Sequence, residues 1–281
     1  MTKKGRQSRP FAFWREPGYC DGALGSRMNA QSQANLESLP RIRLGNGCSA
    51  RYLPLALADQ HRALGVGRIV RAALNPRPTH GWDSQLALDL VIGAGFASIG
   101  PVLYRKEVAY LTLQRLHSLP DTVGSGMKLL VVGLNPSPYS ADKGIGYARP
   151  GNRFWPAALQ AGIASIDRDP GHALRHHGLG MTDLVRRTTR RADEVSIKEY
   201  QAGFERVTRL AQWLAPRAVC FVGLGGWRNV VDAKAKAGVQ ANQVGGRPVY
   251  LMPHTSGLNA HCRLDDLAQH FARAASLAMR S

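Results

Sequence analysis

Three short apolar runs, each followed by a polar loop, restrict the fold of this chain more than any other feature of its sequence. The runs are KLLVVGL at 128–134, AVCFVGL at 218–224 and PVYLMP at 248–253. Such runs are typical of strands that are buried on both faces of a parallel sheet. Segments with helical periodicity separate them, and the longest opens with a capping box formed by Ser196 and Glu199. This alternation predicts an α/β fold, a three-layer α/β/α domain with a short, mainly parallel central sheet.

The remaining elements of this part of the chain follow from the same patterns. Helices are predicted at 152–162, with Asn152 as N-cap, and at 169–178, 225–238 and 263–280. The segment GMTDLV at 180–185 is compatible with either a strand or a turn.

The chain divides at about residue 120. We expect residues 121–281 to form the α/β domain and residues 1–120 to be an N-terminal segment of unknown role that is partly disordered. Residues 1–50 are rich in Gly, Ser, Asn, Gln and Arg and have weak periodicity. Residues 51–118 contain apolar runs, of which EVAYLTLQRLH suits a strand or a short helix. Met127 stands just before the first regular strand. An alternative hypothesis is therefore that translation starts near Met127 and that the upstream segment is not part of the protein.

The charge of the chain favours a polyanionic partner. Lys and Arg number 37 against 19 acidic residues, a formal net charge of +18, and each basic side chain on a phosphate releases a condensed counterion. No run reaches the roughly 18 apolar residues of a membrane helix, so we expect no membrane partner. The expected location is cytoplasmic, and at the nucleoid if the source is bacterial. The four cysteines show no CxxC or other metal-ligand spacing; we expect no metal, no iron–sulfur cluster and no cofactor.

Polar loops follow each of the three buried strands, at the carboxyl edge where α/β sheets form their sites. They read GLNPSPYSADKGIGYARPGNRFW, GLGGW and HTSGLNAHC. GLGG lacks the full dinucleotide-binding pattern and is interpreted as a tight turn. An Asn-Pro pair after a strand is by itself most often a turn. The first and third loops indicate a functional site only because they occur together, each at the end of a predicted strand.

Several motifs in order resemble one family. GLNPS is similar to the GINPG motif of the mismatch-specific uracil/thymine DNA glycosylases, and PGNRFW follows at that family's spacing. The loop HTSGLNAHC resembles its (N/S)PSGLSR loop, and GLGMTDLVRRTTRRADEVSIKEYQAG matches its internal segment. The resemblance spans about residues 122–280. It implies a uracil-DNA-glycosylase-like fold and a monofunctional DNA glycosylase, a hydrolase acting on N-glycosyl bonds in base excision repair. Its substrate would be uracil, mismatched thymine or another modified pyrimidine flipped out of duplex DNA.

The resemblance also implies roles for residues of the base pocket. Asn135 would position the attacking water, and Phe154 would stack on the flipped base. Backbone N–H groups around Pro136–Tyr139 would bond the polar edge of the base. The full set expected in the pocket is Pro136, Ser137, Tyr139, Ser140, Tyr147, Asn152, Phe154 and Asp183.

The third loop would enter the minor groove. Leu258 is the expected wedge that fills the space of the flipped nucleotide. Gly257 and Asn259, with Ser256 beside them, would contact the widowed base, usually guanine. The expected partner is therefore double-stranded DNA containing a mismatched or damaged base, bound by a monomer.

Three departures from the family pattern affect these expectations. His254 stands where the mismatch enzymes have Asn or Ser; other uracil-excising families have His there, and we expect His254 to be catalytic. Ala260 replaces the Arg that follows the wedge. Asp183 takes a place where relatives carry Lys or Asn, which leaves the choice of substrate open.

Two other functions remain compatible with the sequence. One is a non-catalytic nucleic-acid-binding protein on the same fold, in which Asn135 is only structural. The other is an α/β enzyme acting on free nucleotides or nucleosides, in which Leu258 has no wedge role. The loop HTSGLNAHC together with the charge of +18 favours the glycosylase, because an enzyme acting on small molecules needs neither.

Overall fold

Two β-sheets organise the protein, and the first lies in the part of the chain that the sequence left ambiguous. The computed structural model describes residues 38–280, so only part of the disorder expected for residues 1–50 falls on described residues. Residues 1–37 lie outside them, and residues 41–44 form a strand. The first sheet contains β1 (Arg41–Leu44), β2 (Ile69–Leu74), β3 (Phe96–Ser98), β4 (Leu103–Arg105) and β5 (Val108–Arg115). Its order is β1-β2-β5-β3, and β4 also pairs with β5. Only the β1–β2 pair is parallel.

Helices α1 (Leu53–Ala63) and α2 (Ser84–Gly93) cover one face of this sheet. Asp83 caps α2 by accepting the Leu86 N–H at 2.7 Å. In β5, alternate residues Ala109, Leu111 and Leu113 are buried. This period of two explains why EVAYLTLQRLH forms a strand and not a helix.

The second sheet is the one that the apolar runs predict. It contains β6 (Leu129–Gly133), β7 (Leu179–Asp183), β8 (Ala218–Val222), β9 (Gly238–Val244) and β10 (Arg247–Met252), in the order β7-β6-β8-β10-β9. All neighbours are parallel except β9, which runs antiparallel to β10. GMTDLV therefore contributes a strand, and β7, like β6 and β8, is buried along its whole length.

Helices lie on both faces of the second sheet. They are α3 (Pro138–Lys143), α4 (Phe154–Gln160), α5 (Pro170–His172) with a π-helical turn at Ala173–His177, α6 (Ile197–Leu214), α7 (Gly225–Val230) and α8 (Leu264–Met279). Helices α6 and α7 pack on one face, and α4 and α8 on the other. The predicted α/β fold class, with helices on both sides of a mainly parallel sheet, is confirmed.

Helix α7 is shorter than the sequence predicts, because it ends at Val230 and not near residue 238. The Asp232 side chain accepts the Lys234 N–H at 2.9 Å, a local turn that competes with helical hydrogen bonding. The residues beyond it lead into β9, an edge strand whose sequence GVQANQV has too few apolar residues to be recognised.

The first sheet and the second share one hydrophobic cluster, which runs from Val70 and Leu111 through α2 to Val207 and Val219. The buried Asp89 of α2 also forms a bidentate ion pair with Arg209 of α6, at 2.6 and 3.0 Å. Residues from Leu39 onward accordingly form one compact unit. Among the described residues, no helix is both long and apolar enough to cross a membrane.

Candidate active site

A pocket of about 220 Å³ opens at the carboxyl ends of β6, β7, β8 and β10. Parallel strands bring these loops to one edge of the sheet, although the loops lie up to 120 residues apart in sequence. The pocket is smaller than the roughly 300–1,000 Å³ of typical drug-sized ligand sites, and it suits a single planar ring. The predicted residues that line it are Asn135, Pro136, Ser137, Ser140, Tyr147, Asn152, Asp183, His254 and Ser256.

The Asn135 amide is held in one orientation. Its Nδ2 donates to the Thr189 hydroxyl at 2.7 Å and to the Arg187 carbonyl at 3.0 Å. Thr189 in turn donates to the Arg191 carbonyl at 2.7 Å, so its oxygen must accept from Asn135. With both donors engaged, the Asn135 Oδ1 is the atom left to accept a hydrogen bond in the pocket. Such an acceptor can orient a water molecule.

The Pro136–Tyr139 segment supplies fewer N–H donors than its length suggests, because Pro136 and Pro138 have none. Ser137 is the N-cap of α3, and its hydroxyl accepts the Ser140 N–H at 3.2 Å. The Tyr139 amide lies in the first turn of α3, where an N–H has no intrahelical acceptor. The Ser137 and Tyr139 amides are therefore the donors that this segment can offer; the Tyr139 ring is partly exposed outside the pocket lining.

Phe154 does not line the pocket, contrary to the expectation that it forms the base platform. Its ring is 0% exposed and lies under the Tyr147 ring, with centroids 4.0 Å apart and planes 2° from parallel. Phe154 also packs edge-on against Trp155 and Phe271, which fixes it in the core. Tyr147 covers it and is the aromatic residue that lines the cavity. The sequence contains both aromatic residues within the first loop, and only their packing shows which one faces outward.

Tyr147 is held by its backbone as well as by its ring. Its φ of 57° is in the left-handed region, which costs a non-glycine residue energy and recurs at functional sites. The Tyr147 hydroxyl is buried and has no hydrogen-bond partner among the described residues. Burial, with the Asp183 charge as a second cause, raises its pKa well above the usual value.

The loop that carries Leu258 is anchored by Arg153, a residue that sequence reasoning did not single out. The Arg153 guanidinium donates to the carbonyls of Ser256 at 3.0 Å, Asn259 at 2.7 Å and Cys262. The Arg153 N–H also donates to the Thr255 carbonyl at 2.9 Å. Asn152 contributes at the same point, because its Oδ1 accepts the Phe154 N–H at 2.9 Å and so orders the start of α4. The position of Arg153 within PGNRFW is the signal that could have revealed it.

This anchoring leaves Leu258 at the tip of the loop with its side chain 89% exposed. An apolar side chain held so far into solvent on an ordered loop is unusual and suggests a partner. Gly257, beside it, approaches the backbone of Gly151 so closely that an added Cβ would lie 2.8 Å from the Gly151 oxygen. Glycine is therefore required there by packing.

Asn259 is engaged inside the loop, so the expected contact of its backbone with a widowed base is not available in this conformation. Its N–H donates to the Ser256 carbonyl at 3.0 Å, and its own carbonyl accepts from Arg153. Its side chain donates to the His254 carbonyl at 2.9 Å. Asn259 thus holds the loop together, and Gly257 remains the exposed backbone group next to Leu258.

His254 lies just after the end of β10 and lines the pocket. Burial lowers its pKa, and the nearby Arg153 charge lowers it further. The imidazole is therefore neutral near pH 7, and a neutral imidazole offers one N–H donor and one acceptor.

Asp183 is the last residue of β7 and lines the pocket. It belongs to a buried network in which Asp121 takes most of the positive charge. Asp121 pairs with Arg186 at 2.8 Å and with Arg206 at 2.9 Å, whereas Asp183 has only a 3.7 Å contact with Arg186. Burial raises the pKa of Asp183 to about 6; the charge on Asp121 adds to the rise, and those on Arg186 and Arg206 oppose it.

Among the described residues, no cysteine lines this pocket. Cys220 is buried inside β8, and burial raises its thiol pKa, so the expectation of a buried thiol is met. Among residues 38–280, no group of three or more His, Cys, Asp or Glu side chains is arranged to hold a metal ion.

The fold and the pocket define an α/β protein with a small base-sized site at the carboxyl edge of a parallel sheet. The family profile of the Uracil DNA glycosylase superfamily matches residues 120–276, more than half of the chain. The chain belongs to this superfamily. The solution NMR structure of a candidate uracil DNA glycosylase from Methanosarcina acetivorans is similar at 20% sequence identity, with a TM-score of 0.39, over 57% of this chain and 96% of that one.

Proposed function

We propose that the protein is a monofunctional DNA glycosylase that hydrolyses the N-glycosidic bond of uracil, or of a mismatched thymine or modified pyrimidine, in duplex DNA. Membership of the superfamily supports a DNA glycosylase. One observation carries the finer proposal. The oriented amide of Asn135 lies in a pocket the size of a single ring, and Leu258 is exposed on a loop beside that pocket. The described pocket lining contains no lysine, and a lyase step would need an amine nucleophile.

The reaction then follows from the positions of these groups. The target nucleotide leaves the stack, and its base lies on the Tyr147 ring, which Phe154 supports from behind. The Ser137 and Tyr139 amides face a polar edge of the base. The C1′–N1 bond breaks with its electron pair going to the base, and the oxygen of a water held by Asn135 Oδ1 bonds to C1′. The proton of that water passes to solvent, because an amide cannot take it.

Leu258 and Gly257 are the residues that we propose contact the duplex around the flipped nucleotide. Insertion of Leu258 into the vacated position offsets lost stacking, and the Gly257 backbone faces the opposite base. Selectivity for a guanine opposite the lesion would arise there, and on this ground we propose that the protein belongs to the mismatch-specific branch of the superfamily.

His254 is proposed to donate its N–H to an oxygen of the departing base. We expect His254→Ala to slow single-turnover release of uracil by about 100-fold, the usual loss for one donor to a developing oxyanion. His80, an exposed histidine outside this pocket, gives the matched control His80→Ala, which should release uracil at the wild-type rate. A His254→Ala rate within threefold of wild type would remove His254 from the reaction.

Asp183 is proposed to make base release depend on pH. Its pKa of about 6 means that the carboxyl is mostly neutral at pH 5 and ionised at pH 8. An ionised carboxylate beside a base that departs as an anion raises the barrier. Single-turnover release of uracil should therefore be at least about tenfold slower at pH 8 than at pH 5. Asp183→Asn should be faster than wild type at pH 8 and lack the inflection near pH 6. A wild-type rate that rises through pH 6 would show that the carboxylate instead assists the reaction.

The proposed function is tested by base release from labelled duplexes that contain uracil opposite guanine, uracil opposite adenine, thymine opposite guanine, or an exocyclic pyrimidine adduct. Alkali-sensitive breaks at the lesion, with no break before alkali, are expected. Tight duplex binding without release from any of these would leave a non-catalytic binder. Activity on free nucleosides alone would favour the small-molecule enzyme.

A further inference from the structure

The first sheet has a second face that no helix in the described part of the chain covers. Helices α1 and α2 pack on the face that carries Val70, Ala72, Leu111 and Leu113. Because side chains alternate along a strand, the intervening residues point away from these helices. They include Arg41 and Arg43 of β1, Arg71 of β2, Leu103 and Arg105 of β4, and Tyr110 and Thr112 of β5.

The strand register places these residues in rows. Arg41 lies beside Arg71, which lies beside Thr112. In the next row Arg43 lies beside Ala73, then Tyr110 and then Leu103. Tyr110 is 44% exposed at the centre of the sheet. An aromatic side chain thus lies among arginines on an open surface, above a shallow cavity of about 200 Å³.

The arginines of this face differ from the arginines that hold the second sheet and its loops together. Arg153, Arg186, Arg206 and Arg209 are all engaged with carbonyls or carboxylates. Within residues 38–280, the side chains of Arg41, Arg43, Arg71 and Arg105 have no ion-pair or hydrogen-bond partner. The five strands of the sheet also contain no Asp or Glu, so the positive charge of the face is not balanced locally.

We propose that this open face binds single-stranded DNA, with the arginines on phosphates and a base stacked on Tyr110. Unpaired arginines on strands without acidic residues attract a polyanion, and an exposed aromatic ring among them matches the way single strands are held independently of sequence. Arg41 and Arg43 lie two residues apart on one strand, about 7 Å, so they can contact successive phosphates. A duplex keeps its bases stacked and offers Tyr110 none, and the DNA chemistry of the superfamily favours DNA over RNA.

Binding of an oligodeoxyadenylate of about 20 nucleotides, longer than most single-strand sites, tests this proposal in the full-length protein. The probe contains no pyrimidine, so the result is independent of base excision at the pocket. Arg41→Ala/Arg43→Ala should weaken binding by at least tenfold at low salt. It should also reduce the slope of log K against log salt by about 1.4, since each lost phosphate contact removes about 0.7. Tyr110→Ala should weaken binding at least about fivefold, and Tyr110→Phe should not.

Lys128→Ala/Arg217→Ala is the matched control, because it removes two exposed charges at the amino-terminal edge of the second sheet. It should leave the slope nearly unchanged. Thermal unfolding of each variant checks that the sheet is intact. An equal loss in the control, unchanged binding in both face variants, or tenfold tighter binding to the matching RNA would each overturn the proposal. So would crosslinks that place residues 1–37 on the face of the DNA-free protein.

Discussion

Asn135→Ala should reduce single-turnover release of uracil from a uracil–guanine duplex by about 100- to 1,000-fold, while the affinity for that duplex changes little. The size of the loss is that of removing one oriented polar group that acts in the transition state. Affinity should persist because it comes mainly from phosphate contacts, which Asn135 does not make in the proposed complex. Quenched-flow release at saturating enzyme and equilibrium binding to an uncleavable duplex measure the two quantities separately.

Two further variants show whether the orientation of Asn135 matters. Thr189→Val removes the hydroxyl that accepts from Nδ2 at 2.7 Å and keeps the size of the side chain. It should slow release about tenfold, because the amide can then rotate while the Arg187 carbonyl still holds it in part. Asn75→Ala, which removes an asparagine outside this pocket, should have no effect. If Asn135→Ala releases uracil within threefold of the wild-type rate, Asn135 is only structural and the proposed mechanism is wrong.

Three strands of the second sheet, β6, β8 and β10, were accessible from sequence because they are buried over most of their length. Such strands must be continuous apolar runs, and their parallel order places their following loops at one edge. That is why the loops of Asn135 and His254 could be placed at one edge although they are distant in the chain. Asp183 was placed in the pocket by the family resemblance, because the pattern of GMTDLV did not distinguish a strand from a turn. The capping box of Ser196 and Glu199 likewise fixed the start of α6.

The features that sequence missed depend on packing between segments. Phe154 and Tyr147 are both aromatic, and the choice of which one faces the cavity is made by Trp155 and Phe271 behind Phe154. Arg153 donates hydrogen bonds to backbone carbonyls more than 100 residues away in the sequence. A backbone carbonyl is present in every residue, so the sequence does not show which ones accept.

The first sheet was ambiguous for a related reason. Its strands are three to eight residues long, and only one face of them is buried. Short half-buried strands give a weak periodic signal. The arginines on the open face look, in sequence alone, like ordinary surface charge.

The largest effect on stability is expected from Arg206→Met. Arg206 donates to Asp121 at 2.9 Å, to Thr182 at 2.8 Å and to the Asp183 carbonyl at 2.9 Å, all in a buried environment. Methionine fills similar space but leaves two buried carboxylates with the single guanidinium of Arg186. Breaking a buried pair in this way lowers the free energy of unfolding by about 3–5 kcal/mol. For a domain of this size the melting temperature should fall by about 6–20 °C.

The pH dependence of this loss distinguishes lost charge from lost packing. Arg206 lowers the pKa of Asp183, which is already raised to about 6, so in Arg206→Met it should rise further. A carboxyl whose pKa is higher in the folded state than in the unfolded state favours folding as the pH falls through that pKa. The difference in melting temperature between wild type and variant should therefore be smaller at pH 5 than at pH 8. Arg62→Met, which breaks the exposed 3.0 Å pair with Asp59, should cost less than about 1 kcal/mol at either pH. A difference for Arg206→Met that is equally large at both pH values would mean that packing, and not the buried charge, accounts for the stability.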